Sequence, residues 1–563
     1  MTRRGKYLIL LLFLIIFLVV IPLVALVNWF TTGLPTGFGR VAVVLEMHGS
    51  FPEYPPSISP GIIFGRRIPN LTEITSCIER AADDEQVEAL VVRIFPSGAG
   101  VAKCEEIREA IHRFKESGKQ VVTFSPVLVG HHYLIACASD SIFMPPSGYL
   151  MIPGPASSAV FIRGTLEKLG ISPNIHRIED YKSAAEFFTE KERTPESREM
   201  AMWLLDDIYS RFVSTVASNR VRGEDTVRTW IDRGLFSPQR ALADGLIDGI
   251  RYWDQVRDSF NDADIRLVQS TEYMRSASTS GLGPRVAVIH AQGSIVMGES
   301  GFDPVSGQIM GSETVIRDLR RARQNNRIRA VILRIDSPGG DALAGEMISR
   351  EVEITSKEKP VVISMSDVAA SGGYEISYRA GHIVAMPGSI TGSIGSITGK
   401  LNMRGFYNKI GVTKDEIGIG EKALMESDYR DFTDAEWRVL KEEHWEFYRN
   451  WIEEIARFRD MRVGAVDSLA RGRVWTGYQA VEKGLIDEVG GFDRALEVAC
   501  ELAGIEDPSG VTLVHTPKRV TLLQALLSRG FLEDATSYLI HRALHSGIFP
   551  QRGLFIKHVV PGT

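Results

Sequence analysis

Cysteine is scarce: four in 563 residues, Cys77, Cys104, Cys137 and Cys500, with no Cys-x-x-Cys pair among them. That excludes a disulfide scaffold, a zinc ribbon and a thioredoxin-like redox pair, and leaves small buried apolar side chains as the expected role for most of them. A basic excess is also lacking. Lys and Arg together number 64 against 70 Asp and Glu, a net charge of −6, so no cationic surplus is available to neutralise phosphates and no nucleic-acid partner is expected. Phosphate-loop chemistry fails on spacing, because Gly395-Ser-Ile-Thr-Gly-Lys400 is too short a match and runs into Leu401. The Gly-x-Ser-x-Gly nucleophile elbow fails too, since Ala369 and Gly373 flank Ser371. His131 and His132 with Cys137 invite a metal reading, but adjacent histidines on a strand-to-helix loop are expected to point apart, so no metal and no cofactor is expected.

What is present is the composition of a globular protein, 44% hydrophobic, 24% charged and 9% aromatic, long enough for three or four domains or fewer large ones. At the N-terminus, Tyr7 to Val27 carries no charge. As a helix such a stretch reaches about 30 Å and spans a bilayer. Arg3, Arg4 and Lys6 hold the short tail in the cytoplasm by the positive-inside rule, which leaves everything after Trp29 on the far side. Residues 1–30 therefore read as a cytoplasmic tail and an uncleaved anchor, the apolar run being longer than a signal peptide needs.

The rest of the chain repeats itself. Val41-Ala-Val-Val-Leu45 matches Val286-Ala-Val-Ile-His290, Ala89-Leu-Val-Val-Arg-Ile94 matches Ala330-Val-Ile-Leu-Arg-Ile335, and Gly245-Leu-Ile-Asp248 matches Gly484-Leu-Ile-Asp487. Buried β-branched runs alternate with helical patterns in both copies, so the fold class is α/β, with two tandem βαβ domains after an N-terminal transmembrane helix. The expected limits are 38–270 for the first domain, 271–284 for a Ser/Gly-rich linker, 285–508 for the second domain and 509–563 for a tail. Leu522, Leu523, Leu526 and Leu527 give that tail helical, amphipathic spacing.

Three Gly-rich loops leave strands in the second copy: Asp336-Ser-Pro-Gly-Gly-Asp341, Ala369-Ala-Ser-Gly-Gly-Tyr374 and Thr391-Gly-Ser-Ile-Gly395. Loops at the carboxyl ends of strands in an open α/β sheet gather where ligands bind. Gly339 and Gly340 let backbone N–H groups approach a developing oxyanion, and Ser371 offers a hydroxyl. The first copy has lost these features. Tyr133 aligns with Tyr374, so Gly130-His-His stands in place of Ser371-Gly-Gly, whereas a lysine is kept in both copies, as Lys182 and Lys422.

The anchor, the doubled domain and these loops, together with Val474-Trp-Thr-Gly-Tyr-Gln-Ala480, resemble peptidase family S49 in its long, duplicated form. The resemblance implies a crotonase-like or ClpP-like fold and a Ser-Lys dyad. It implies a membrane-bound bowl of subunits, a homotetramer, that cleaves signal peptides already released from their proteins and other apolar peptides. The setting it implies is the outer face of a bacterial cytoplasmic membrane. In long members the lysine matching Lys182 serves the serine matching Ser371 across the two domains; in short members the lysine follows the serine by about fifty residues, as Lys422 does here. Lys182 is the expected base and Lys422 the alternative, with backbone N–H groups near Gly339, Gly340 and Gly372 holding the oxyanion. The rival functions are a catalytically silent membrane-tethered scaffold and a crotonase-like acyl-transforming enzyme.

Overall fold

The computed structural model describes residues 39–49, 51–55, 70–276, 283–303 and 307–517. The expected anchor and the amphipathic part of the tail lie outside these. Among the described residues no helix is long and apolar enough to cross a membrane.

Each copy is built on a parallel sheet. In the first, Arg266–Gln269, Val41–Gly49, Val87–Ser97, Gln120–Phe124, Ser141–Met144 and Gly249–Ile250 lie side by side in that order. In the second, Thr512–Thr516, Arg285–Gln292, Ile328–Ser337, Val361–Ala370, His382–Ala385 and Glu488–Val489 repeat the arrangement strand for strand. Continuous apolar runs form these strands because helices cover both faces. Val41, Val43, Leu45, Leu90 and Val92 point into one layer of the first core, and Ala42, Val44, Ala89 and Val91 into the other.

The duplication extends to individual hydrogen bonds. Tyr133 Oη donates to the Leu246 carbonyl at 2.6 Å, as Tyr374 Oη does to that of Leu485 at 2.9 Å. Arg220 forks onto Asp248 as Arg459 forks onto Asp487. Long helices recur as well. Pro195–Arg220 starts behind a Thr194 cap with proline in its first turn, and Asp434–Phe458 starts with a Thr433/Glu436 capping box.

Both expected domain limits shift. Ser270–Ser276 is a helix whose Tyr273 is buried in the first core, so the Ser/Gly-rich linker begins after it rather than at 271. Thr512–Thr516 pairs with Arg285–Gln292 and completes the second sheet, so that domain runs past 508. Asp507-Pro-Ser-Gly510 reads as a domain end, yet it is only the turn before this edge strand.

The two domains interlock. Ser172–Arg177 of the first pairs antiparallel with Ile397–Asn402 of the second, and Trp203 stacks on Trp475 with ring centroids 5.0 Å apart. Charged side chains fill the seam. Arg334, with no exposed surface, meets Glu53 at 2.9 Å and Glu106 at 2.7 Å, and donates to Ser364 Oγ. A lone buried guanidinium carries a desolvation cost of several kcal/mol, which these paired carboxylates offset.

Candidate active site

Ser371 ends the strand Val361–Ala370 and precedes the short helix Gly372–Glu375. Its backbone sits at φ 56°, ψ −119°, a conformation that costs a non-glycine residue about 1–3 kcal/mol. Hydrogen bonds hold it there: the Ser371 amide donates to the Gly392 carbonyl at 2.8 Å, and the Ser371 carbonyl accepts from Tyr374 and Glu375. A sharp strand-to-helix turn of this kind projects a hydroxyl out of the sheet, so the elbow geometry is realised although the Gly-x-Ser-x-Gly spelling is absent. At the matching turn of the first copy, Gly130 has φ 55°.

Lys182 reaches this hydroxyl from the other domain. Its Nζ lies 3.0 Å from Ser371 Oγ, 2.8 Å from the Ser393 carbonyl and 3.0 Å from Ser393 Oγ. The lysine is only 5% exposed. Burial lowers its pKa to about 7, against an opposing pull from Glu375. These three oxygens match the three N–H groups of the ammonium; in the neutral form two N–H groups serve the Ser393 oxygens and the lone pair faces the Ser371 O–H. Glycine makes the close fit possible. A Cβ on Gly472, whose φ is 82°, would stand 2.3 Å from the Lys182 amide nitrogen.

Lys422 is exposed and is not brought to Ser371 within the chain. The three glycines do surround the serine, since a Cβ on Gly339 would lie 2.8 Å from Ser371 Cβ and 2.7 Å from the Gly372 nitrogen. They are not equivalent. The Gly339 N–H donates to Ser337 Oγ at 3.2 Å, whereas among the described residues no acceptor faces the N–H of Gly340 or Gly372. Two donors beside the hydroxyl are thus unoccupied, and the third is engaged.

Sequence reasoning missed two participants. Ser393 lies inside the motif Thr391-Gly-Ser-Ile-Gly395 but reads there as a turn former; its own φ of 53° turns both oxygens toward the lysine. Glu375 follows the Gly-Gly-Tyr run and is 4% exposed; burial, then Glu346, raise its carboxyl to about 8. The reason given against a metal also fails. The rings of His131 and His132 stack at 4.9 Å and 23° instead of pointing apart, and it is Cys104, not Cys137, whose ligand atom lies within 4.8 Å of theirs.

The profile of peptidase family S49 matches residues 113–265 and 353–506, one stretch in each copy. The chain belongs to peptidase family S49. The S49 relatives include the chloroplastic serine protease SPPA of Arabidopsis thaliana, 34% identical over 82% of this chain and 69% of that one. Protease 4 of Haemophilus influenzae is 29% identical over 83% of this chain and 80% of its own length. A putative signal peptide peptidase SppA of Enterococcus faecium is 33% identical over 33% of this chain and 54% of its own. As a member of S49 the protein is a serine peptidase with a mixed α/β fold, which displaces the silent-scaffold and acyl-transforming readings.

Proposed function

We propose that this S49 peptidase is a membrane-anchored endopeptidase that degrades cleaved signal peptides and other apolar peptides at the outer face of the cytoplasmic membrane. In this reading the scaffold is crotonase-like, Ser371 is the nucleophile and Lys182 its general base. The observation that carries the reading is the buried amine 3.0 Å from the hydroxyl, with its pKa lowered to about 7. Neutral Lys182 accepts the Ser371 proton as Oγ attacks the peptide carbonyl, and the Gly340 and Gly372 N–H groups receive the oxyanion. The ammonium then gives its proton to the leaving amine, and water, deprotonated in turn by Lys182, releases the acyl group.

The membrane setting rests on the uncharged run Tyr7 to Val27 and its flanking Arg3, Arg4 and Lys6. The peptide substrate class is supported by relatives called Protease 4 and signal peptide peptidase.

Assembly with further copies of the chain is supported by surfaces the repeat leaves uncovered, and the number four rests on the resemblance to long S49 members alone. Arg163-Gly164 and Gly170 match Arg404-Gly405 and Gly411, so residues 413–418 correspond to the strand Ser172–Arg177, and residues 156–161 to Ile397–Asn402. Within one chain these counterparts have no strand partner among the described residues, and Ile417 and Val160 are 88% and 69% exposed. A second copy of the chain would pair the two. Lys422 would then approach the neighbour's Gly130, where no hydroxyl exists.

The test is cleavage of one apolar peptide by Ser371→Ala, Lys182→Ala and Lys422→Ala proteins. Loss of activity in the first two, with Lys422→Ala remaining active, is expected. Inactivation by Lys422→Ala alone overturns the assignment.

A further inference from the structure

The first copy carries a serine and a histidine joined in a way that the peptidase reading leaves unused. Ser97 closes the strand Val87–Ser97, and His132 belongs to the turn that holds Gly130 in place of the nucleophile. Ser97 Oγ and His132 Nε2 are 2.7 Å apart. The direction of this bond follows from the other side of the ring. His132 Nδ1 lies 3.1 Å from the Val129 carbonyl, which can only accept. The proton therefore sits on Nδ1, Nε2 presents its lone pair, and the Ser97 hydroxyl donates to it.

That is the proton order of a serine activated by an oriented histidine, with a backbone carbonyl standing where a carboxylate usually fixes the tautomer. The ring is held in place. His132 is 5% exposed and stacks on His131, whose Nε2 is 2.7 Å from the Ala99 carbonyl. Ser97 itself is half-buried, between exposed Pro96 and Gly98.

We infer that Ser97 and His132 form a second nucleophilic site, independent of Ser371, that takes activated acyl esters. Esters suit it better than amides because their alkoxide leaves with less assistance, and among the described residues no lysine or carboxylate is hydrogen-bonded to either side chain. The Ser97 proton passes to His132 Nε2 as Oγ bonds to the acyl carbon. The C–O bond to the alcohol then breaks, and the departing oxygen takes the proton from His132. Water, deprotonated by the same nitrogen, later hydrolyses the acyl-Ser97 and restores both groups.

The experiment uses full-length Ser371→Ala protein, which removes the proposed peptidase nucleophile, treated with a fluorophosphonate in EDTA and analysed by peptide mass mapping. Hydrolysis of p-nitrophenyl acetate is followed in parallel. The expected result is label on the peptide containing Ser97, lost in Ser371→Ala/Ser97→Ala and reduced at least tenfold in Ser371→Ala/His132→Gln, with ester turnover falling in step. Folded Ser371→Ala protein, judged by circular dichroism, that carries no label on Ser97 overturns the inference without any change at His132. Label unchanged by His132→Gln, or ester turnover that appears only when zinc replaces EDTA, also overturns it, the latter in favour of an ion on Cys104, His131 and His132. The wild-type label on Ser371 reports separately on the peptidase assignment.

Discussion

Lys103 of the first domain and Asp336 of the second are 2.6 Å apart, Nζ to Oδ2, with Lys103 only 4% exposed. The same ammonium lies 3.1 Å from Asp367, whose carboxylate also caps the helix Val101–Glu116 by accepting from the Gly100 and Lys103 amides. Burial opposes both charges, yet the pairing holds Asp367 below the usual carboxylate range and Lys103 above the usual amine value. Asp336 opens the Gly-rich loop at Ser371, so this contact ties the active-site loop to the neighbouring domain.

Removing one member strands the others. Lys103→Met leaves Asp336 and Asp367 facing each other without a cation, and breaking a buried pair in this way costs about 3–5 kcal/mol. Thermal denaturation should show a fall in Tm, larger than for Asp336→Asn, which keeps the lysine paired with Asp367. Equal falls for the two variants would argue against the shared cation.

Peptidase activity should depend on pH through Lys182. Below about 7 the amine is protonated and cannot accept the serine proton, so kcat/KM should fall about tenfold per pH unit there and level off above. Glu375, at about 8, adds a negative charge near the lysine as it ionises and favours the ammonium. Because Glu375 is still mostly protonated near pH 7, Glu375→Gln should move the midpoint only slightly, to lower pH. A profile flat from pH 5.5 to 8 would contradict the role given to Lys182.

The same lysine should weaken the fold. Its pKa is lower when folded, so between about 7 and 10.5 the unfolded chain binds more protons and stability rises with pH. A drop from 10.5 to about 7 corresponds to roughly 4–5 kcal/mol, felt in full below pH 7. Lys182→Met should raise Tm at pH 6 and raise it much less at pH 9.5, while abolishing peptide cleavage. Scanning calorimetry at both pH values measures the difference.

Backbone strain at Ser371 gives a further contrast. Gly130 occupies the matching turn with nearly the same φ, and glycine takes that conformation without a side-chain clash. Ser371→Gly should be more stable than Ser371→Ala by about 1 kcal/mol, and neither should cleave peptide. Chemical denaturation of the two proteins reads this directly, and equal midpoints would mean that the turn is unstrained.

The parallel sheets and their duplication were legible because buried strands are written as long β-branched runs whose spacing survives in both copies, as in Ala89 to Ile94 and Ala330 to Ile335. The Gly-rich loops were legible as a group, since each leaves a strand end. What brings Lys182 rather than Lys422 beside Ser371 is the cross-domain pairing of Ser172–Arg177 with Ile397–Asn402, and local pattern holds no trace of such a contact. Asp336 looked like part of a turn because its partner Lys103 is far away in the chain. Ser393 escaped notice because its role depends on a left-handed backbone that serine seldom adopts. The edge strand Thr512–Thr516 was hidden for a different reason. It is short, half-buried and follows Pro and Gly, the usual marks of an ending.

Because Lys182 and Ser371 are furnished by one polypeptide, their meeting does not depend on encounter between molecules. Specific activity per chain should hold constant as the enzyme is diluted, even where any larger assembly dissociates, and mixing two singly inactivated proteins, one lacking the amine and one the hydroxyl, should restore nothing.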